Sequence, residues 1–162
     1  MKAGENAGTM RRPVCWLVCS LVFCTLPARP QRSAVDSFSA RQETLRGREL
    51  FTGQAALQGR ISTHEMDLPP AVVRCANCHA EGAGPAVARS NAPRLDREWL
   101  LSPQRRRGGP PSHYNRDDFC RVLRKGVDPA WVVINEEMPR YTVDDADCSA
   151  LWRFLTEDLD EK

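Results

Sequence analysis

The sequence predicts an all-α fold. Three observations support this: apolar residues recur at helical spacing in several segments, residues that cap or stop helices bound those segments, and no segment alternates in the way a sheet demands. The chain has 162 residues. Without its N-terminal leader, the body of about 130 residues suits one compact domain with a single core.

The chain opens with a pattern of export. Lys2, Arg11 and Arg12 form a positive start, Pro13 to Leu26 is nearly all apolar, and Leu26-Pro27-Ala28 offers a small residue for cleavage. Residues 1–28 are therefore expected to be a signal peptide and 29–37 a short linker, with the functional domain over 38–162. The apolar stretch is shorter than the roughly 20 residues of a membrane-spanning helix. A retained anchor is the alternative, and contact with a membrane is expected only in that case. Cys15, Cys19 and Cys24 lie inside the leader and serve as small hydrophobes there.

The helices follow in order. Asp36 or Ser37 caps a first helix over 38–52, with Leu45, Arg48 and Phe51 at helical spacing and Gly53 as its stop. Residues 54–74 read as irregular chain, marked by Gly59 and Pro69-Pro70. Asp96 opens a short helix through Trp99-Leu100-Leu101, closed by Pro103, and 105–112 reads as a loop of arginine, glycine and proline. Asn115, with Asp118 three residues on, begins a helix that ends near Gly126. Asp144 or Asp145 starts the last helix, whose Cys148, Leu151, Leu155 and Leu159 form an apolar stripe.

Between the first two helices lies Cys75-Ala76-Asn77-Cys78-His79. This is the C-x-x-C-H spacing of covalent haem c attachment: two thiols one helical turn apart each bond a vinyl group, and the following histidine is carried under the iron. Seven cysteines and three histidines scattered at random would give such a run in roughly one chain in two hundred. Zinc is the competing reading, but a closed structural site needs four ligands, and no second closely spaced pair exists. With the leader removed, Cys120 and Cys148 remain after the haem pair. Phe119, Cys120 and Leu123 share one helical face, and Cys148, Leu151, Trp152 and Leu155 share another, so a disulfide between two packed helices is expected in an oxidising compartment. Two buried thiols are the alternative.

Charge bears on one class of partner. The leader carries three basic residues and one acidic, which leaves 20 of each sign in the mature chain. A formally neutral body gives no support for general nucleic-acid binding. Arg105-Arg106-Arg107 and the acidic tail after Val143 read mainly as solvated surface, with docking of a redox partner as the other reading.

An iron held by His79 has one further axial position. Met138, in Glu136-Glu137-Met138-Pro139-Arg140-Tyr141, is the leading candidate, since Pro139 restricts the backbone behind it. His64, Met66 and His113 are the rivals. Arg140 and Tyr141 have two readings, reaching the edge of the bound group or packing at the surface.

Taken in order, Gly47-Arg48-Glu49-Leu50-Phe51, Cys75-Ala76-Asn77-Cys78-His79, Met138-Pro139 and Leu151-Trp152-Arg153-Phe154-Leu155 give the chain a pattern that resembles class I monohaem cytochromes c over most of the mature sequence. The resemblance implies a cytochrome c-like fold of several short helices around one covalent haem, with the first and last helices crossing. It implies that Gly47 permits close contact there and that Phe51 packs on Trp152 or its neighbours. It also implies a proline whose carbonyl orients His79: Pro93 in Ala92-Pro93-Arg94-Leu95, with Pro85 in Gly84-Pro85 as the alternative. The long segment between Phe51 and Cys75 and the arginine-rich loop before His113 depart from the shortest members.

The expected function is that of a periplasmic electron carrier with His79 and Met138 on the two faces of one haem c, and no catalytic turnover of its own. Expected partners are a periplasmic dehydrogenase and an oxidase or another cytochrome, with the chain working alone or as a subunit of a larger oxidoreductase. Were Met138 not bound, an open iron would instead suit a small haem peroxidase or a gas sensor. No nucleophile and base constellation stands out.

Overall fold

The computed structural model describes residues 34–63, 66–79 and 92–157. The expected leader, Pro85, His64 and Leu159 lie outside the described residues. Five helices and four short strands occur among those described. The helices are α1 (Ala34–Thr52), α2 (Ala76–His79), α3 (Arg97–Leu101), α4 (Arg116–Lys125) and α5 (Asp145–Thr156), and the strands are β1 (Gln58–Arg60), β2 (Gln104–Arg105), β3 (Pro111–Ser112) and β4 (Arg140–Thr142).

Helix α1 begins four residues before the expected start, so residues 34–37 are its first turns and not linker. Thr44, Gly47, Leu50 and Phe51 recur every three or four residues and form its buried face. The Thr44 hydroxyl is satisfied there by donating to the Ala40 carbonyl at 3.0 Å. Its opposite face leaves Val35, Phe38 and Leu45 exposed.

The ends of the later helices follow their capping chemistry. The side chains of Asp96, Asn115 and Asp144 accept from the backbone N–H three residues on, at 2.7, 2.8 and 2.7 Å, and so open α3, α4 and α5. Gly126 closes α4 in the left-handed conformation, φ +66°.

Helices α1 and α5 share the most extensive contact in the fold. It is close because Gly47 has no side chain: a Cβ there would overlap the Ala150 carbonyl and lie 2.7 Å from Phe154 Cβ. Beside it, the Phe51 and Phe154 rings pack with centroids 5.5 Å apart. Ion pairs flank the seam, with Arg46 gripping both carboxylate oxygens of Asp147 at 2.8 and 3.0 Å and Arg153 reaching Glu43 at 2.7 Å. A disulfide joins Cys120 on α4 to Cys148 on α5, Cα to Cα 5.9 Å. Closing a loop of this length stabilises a fold by about 3.5 kcal/mol in the chain-entropy account. Leu50, Leu100, Leu151 and Leu155, with Phe119 and Leu123, make up much of the core around these helices.

The expectation of an all-α, cytochrome c-like fold is corrected here. β1 pairs antiparallel with β4, Gly59 opposite Tyr141, and β2 pairs antiparallel with β3, so the architecture mixes helices with two small sheets. The reason lies in strand length. Two or three residues are too few to show alternation, and β1 finds its partner only in the distant segment that follows Pro139. Gly59 also pairs with Leu68, which ties the expected loop of 54–74 onto the same sheet. The expected loop of 105–112 is a hairpin turned through Arg107 and Gly108, both with positive φ.

Replacing Gly47 with alanine forces the α1 and α5 backbones apart. The expected cost is about 2 kcal/mol by denaturant unfolding, in the range for an overpacked core. An unchanged midpoint would contradict this account of the helix crossing.

Candidate functional site

The pentapeptide 75–79 folds as a single helical turn. The N–H groups of Cys78 and His79 both donate to the Cys75 carbonyl, at 3.2 and 2.9 Å, and Asn77 N–H donates to the Arg74 carbonyl at 3.1 Å. Asn77 also fixes this turn to the chain before it. Its side-chain amide donates to the carbonyls of Ala71 and Val72 at 2.9 and 3.0 Å. One of the two residues between the cysteines is thus a brace.

Cys75 is buried and Cys78 exposed, and both are thiols. Burial pushes the Cys75 thiol up to about 11, with the nearby Tyr141 hydroxyl partly offsetting that rise, so Cys75 is protonated at neutral pH. Tyr141, from β4, donates its hydroxyl to the Val73 carbonyl at 2.8 Å. Burial raises its pKa as well. This bond ties the segment before the cysteines to the strand after Met138.

His79 follows with a defined tautomer. Its Nδ1 lies 2.7 Å from the Pro93 carbonyl oxygen. A carbonyl can only accept, so Nδ1 carries the proton and donates. Burial lowers the pKa of the ring, more than the bond to Pro93 raises it, and so favours the neutral imidazole. The neutral ring then has its free lone pair on Nε2. That is the state in which histidine ligates a metal.

Met138 faces the same space. A cavity of about 250 Å³ is lined by Cys75, Cys78, His79, Pro93 and Met138, with Leu68, Val72, Tyr141, Arg74 and Arg107 among its other walls. A smaller one of about 40 Å³ is lined by Leu95, Trp99, Tyr114, Phe119, Val122 and Ile134, and it shares His79, Pro93, Arg107 and Met138 with the first. Imidazole and thioether therefore stand where the two cavities meet. Met138 is placed by a turn, in which its N–H donates to the Asn135 carbonyl at 3.2 Å and its own carbonyl accepts from Arg140 at 2.6 Å. Arg140 spends its guanidinium on backbone carbonyls and does not line either cavity.

Of the rival residues, Met66 is 81% exposed and His113 is exposed, and neither lines a cavity. The arginine cluster is only partly the solvated surface that was expected. Arg106 is buried, with its guanidinium over the Trp99 ring at 4.6 Å and the Tyr114 ring at 5.0 Å, donating to the carbonyls of Trp99 and Ser112. Burial lowers its pKa. Arg107 turns the other way, to the cavities.

Sequence reasoning missed Arg107, Trp99, Tyr114 and Ile134 as lining residues. For Arg107 a signal was present: Gly108-Gly109 marks a tight turn, which brings the last arginine of the cluster back toward the core.

The chain matches no protein family, no curated protein and no solved structure in comparisons with each. The geometry of the site therefore carries the functional argument. The donor set fits a haem: two thiols on one helical turn, a neutral imidazole nitrogen, a thioether, apolar walls, and the arginines Arg74 and Arg107 for carboxylates. Among the described residues, no three His, Cys, Asp or Glu side chains gather around one point as a zinc ion would require.

In the chain without a bound group, the lowered pKa of His79 makes folding depend on pH. The unfolded imidazole takes up a proton near pH 6.5 and the folded one resists it, so this contribution to stability is full above that value and is lost progressively as pH falls below it. Urea midpoints across this range should show the loss, and His79→Asn should remove most of it. An equal slope in that variant would contradict the assignment.

Proposed function

We propose that this chain binds one haem c covalently and passes single electrons between protein partners, the role implied by its sequence resemblance to monohaem cytochromes c. One observation carries the reading. The C-x-x-C-H turn places a neutral histidine, its Nδ1 already committed to Pro93, in cavities that it shares with the Met138 thioether.

Each residue has a task in this reading. Cys75 and Cys78, both thiols, would tether the group by adding their S–H bonds across its two vinyl groups, an addition that needs neither oxidant nor reductant. His79 ligates through Nε2 while Pro93 holds the ring plane. Met138, which lines the same cavities, would supply a thioether as the second protein ligand, and thioether ligation would favour the reduced state. Arg74 and Arg107 hold the carboxylates. The bound haem supplies an iron that gains and loses one electron. With His79 and Met138 both holding the group, the protein would be a carrier and not an enzyme, and its partners would be a dehydrogenase that donates electrons and an oxidase or second cytochrome that accepts them.

The compartment follows from the same chemistry. A disulfide between Cys120 and Cys148 suits an oxidising space, and an apolar leader at 13–26 suits export to the periplasm. No described helix is long and apolar enough to cross a membrane.

Expression with haem-attachment machinery should give a red protein that keeps its colour through acid acetone extraction. Cys75→Ala with Cys78→Ala should lose that colour. Full release of haem from the unaltered chain, or zinc without iron on metal analysis, would defeat the proposal.

A further inference from the structure

Arg106 is 4% exposed and Asp128 is fully buried. No ion pair within 4.0 Å joins the two, and among the described residues Arg106 has none with any carboxylate. Arg106 is held by carbonyls and ring faces instead. Its Nε has no hydrogen-bond partner.

Asp128 is held in a comparable way. One carboxylate oxygen accepts from the N–H groups of Ala130 and Val132, both at 2.9 Å, while Oδ2 has no partner. The charged atoms themselves are thus held by neutral groups; Arg121 donates only to the Asp128 backbone carbonyl, at 3.1 Å, and the two opposed charges feel each other without forming an ion pair.

The fields of these charges reach the candidate site. Trp99 and Tyr114, which stack on each other with centroids 6.0 Å apart and both meet the Arg106 guanidinium, are walls of the smaller cavity, whose lining includes His79 and Met138. Tyr114 feels both charges: burial raises its pKa to about 12, Asp128 adds to the rise and Arg106 opposes it. In a medium of low dielectric, screened from salt, a charge behind one aromatic ring still acts on the other side of it.

We propose that Arg106 and Asp128 are a fixed pair of opposed buried charges that sets the reduction potential of the group held between His79 and Met138, Arg106 raising it and Asp128 lowering it. The inference rests on the haem reading above. Neither residue ligates or touches the haem; both act as positioning residues, through their fields. The oxidised iron carries one more positive charge than the reduced, so a nearby guanidinium disfavours oxidation and a nearby carboxylate favours it.

The test is the midpoint potential of the purified, haem-loaded protein, read by spectroelectrochemical titration. Arg106→Gln should lower the midpoint, and Asp128→Asn, which keeps the oxygen that receives Ala130 and Val132, should raise it. Arg106→Lys should stay close to the unaltered protein because the charge remains. Shifts of the same sign in the two neutral variants, or none in either, would overturn the inference. If Arg106→Gln does not fold, Asp128→Asn decides alone, and a lowered or unchanged midpoint overturns it. Failure of the haem reading is distinguishable, because the unaltered chain would then hold no covalent haem to titrate.

Discussion

Irregular chain beside an apolar cavity must satisfy its peptide groups without the ladder of a helix or sheet, and the walls of this site are mostly irregular chain. Side chains that reach to backbone groups meet that constraint. Tyr141 donates to Val73, Asn77 to Ala71 and Val72, Arg106 to Trp99 and Ser112, and Arg140 to Met138. Asp128 accepts from its own loop. Each of these bonds satisfies a polar group, and those to Val72, Val73, Trp99 and Met138 hold residues that line the cavities. The site is thereby shaped by polar ties laid behind its apolar lining.

The helical scaffold performs a different task. Helices α1 and α5, locked at Gly47 and flanked by Arg46 and Arg153, give the core a rigid side, and the disulfide adds α4 to it. The remaining chain is strung from this frame. The C-x-x-C-H turn leaves it after α1, and the Met138 turn returns just before α5. The sheet pairing of Gly59 with Tyr141 binds the outgoing and returning segments together. His79 and Met138, far apart in sequence, owe their common cavity to that return.

Local chemistry was legible in the sequence and distant pairing was not. The caps at Asp96, Asn115 and Asp144 and the glycine stop at Gly126 can be read because each acts within four residues of itself. The turn of Cys75 to His79 is legible for the same reason. The start of α1 was misplaced because Val35 and Phe38 face solvent and give no buried periodicity there. The sheets were illegible because two-residue and three-residue strands carry no pattern of their own. Arg106 shows the limit most clearly: the middle of three arginines looks like surface, and only the convergence of Trp99 and Tyr114 makes it a core residue.

In the proposed function, His79 and Met138 would hold one haem iron between them. The most direct test is the absorption spectrum of the oxidised, haem-loaded protein in the far red, where a bound thioether gives a weak sulfur-to-iron band. The account predicts that band in the unaltered chain and its loss in Met138→Ala, with the iron low-spin only in the former. A high-spin spectrum without the band in the unaltered chain would contradict it and leave the iron open to added ligands.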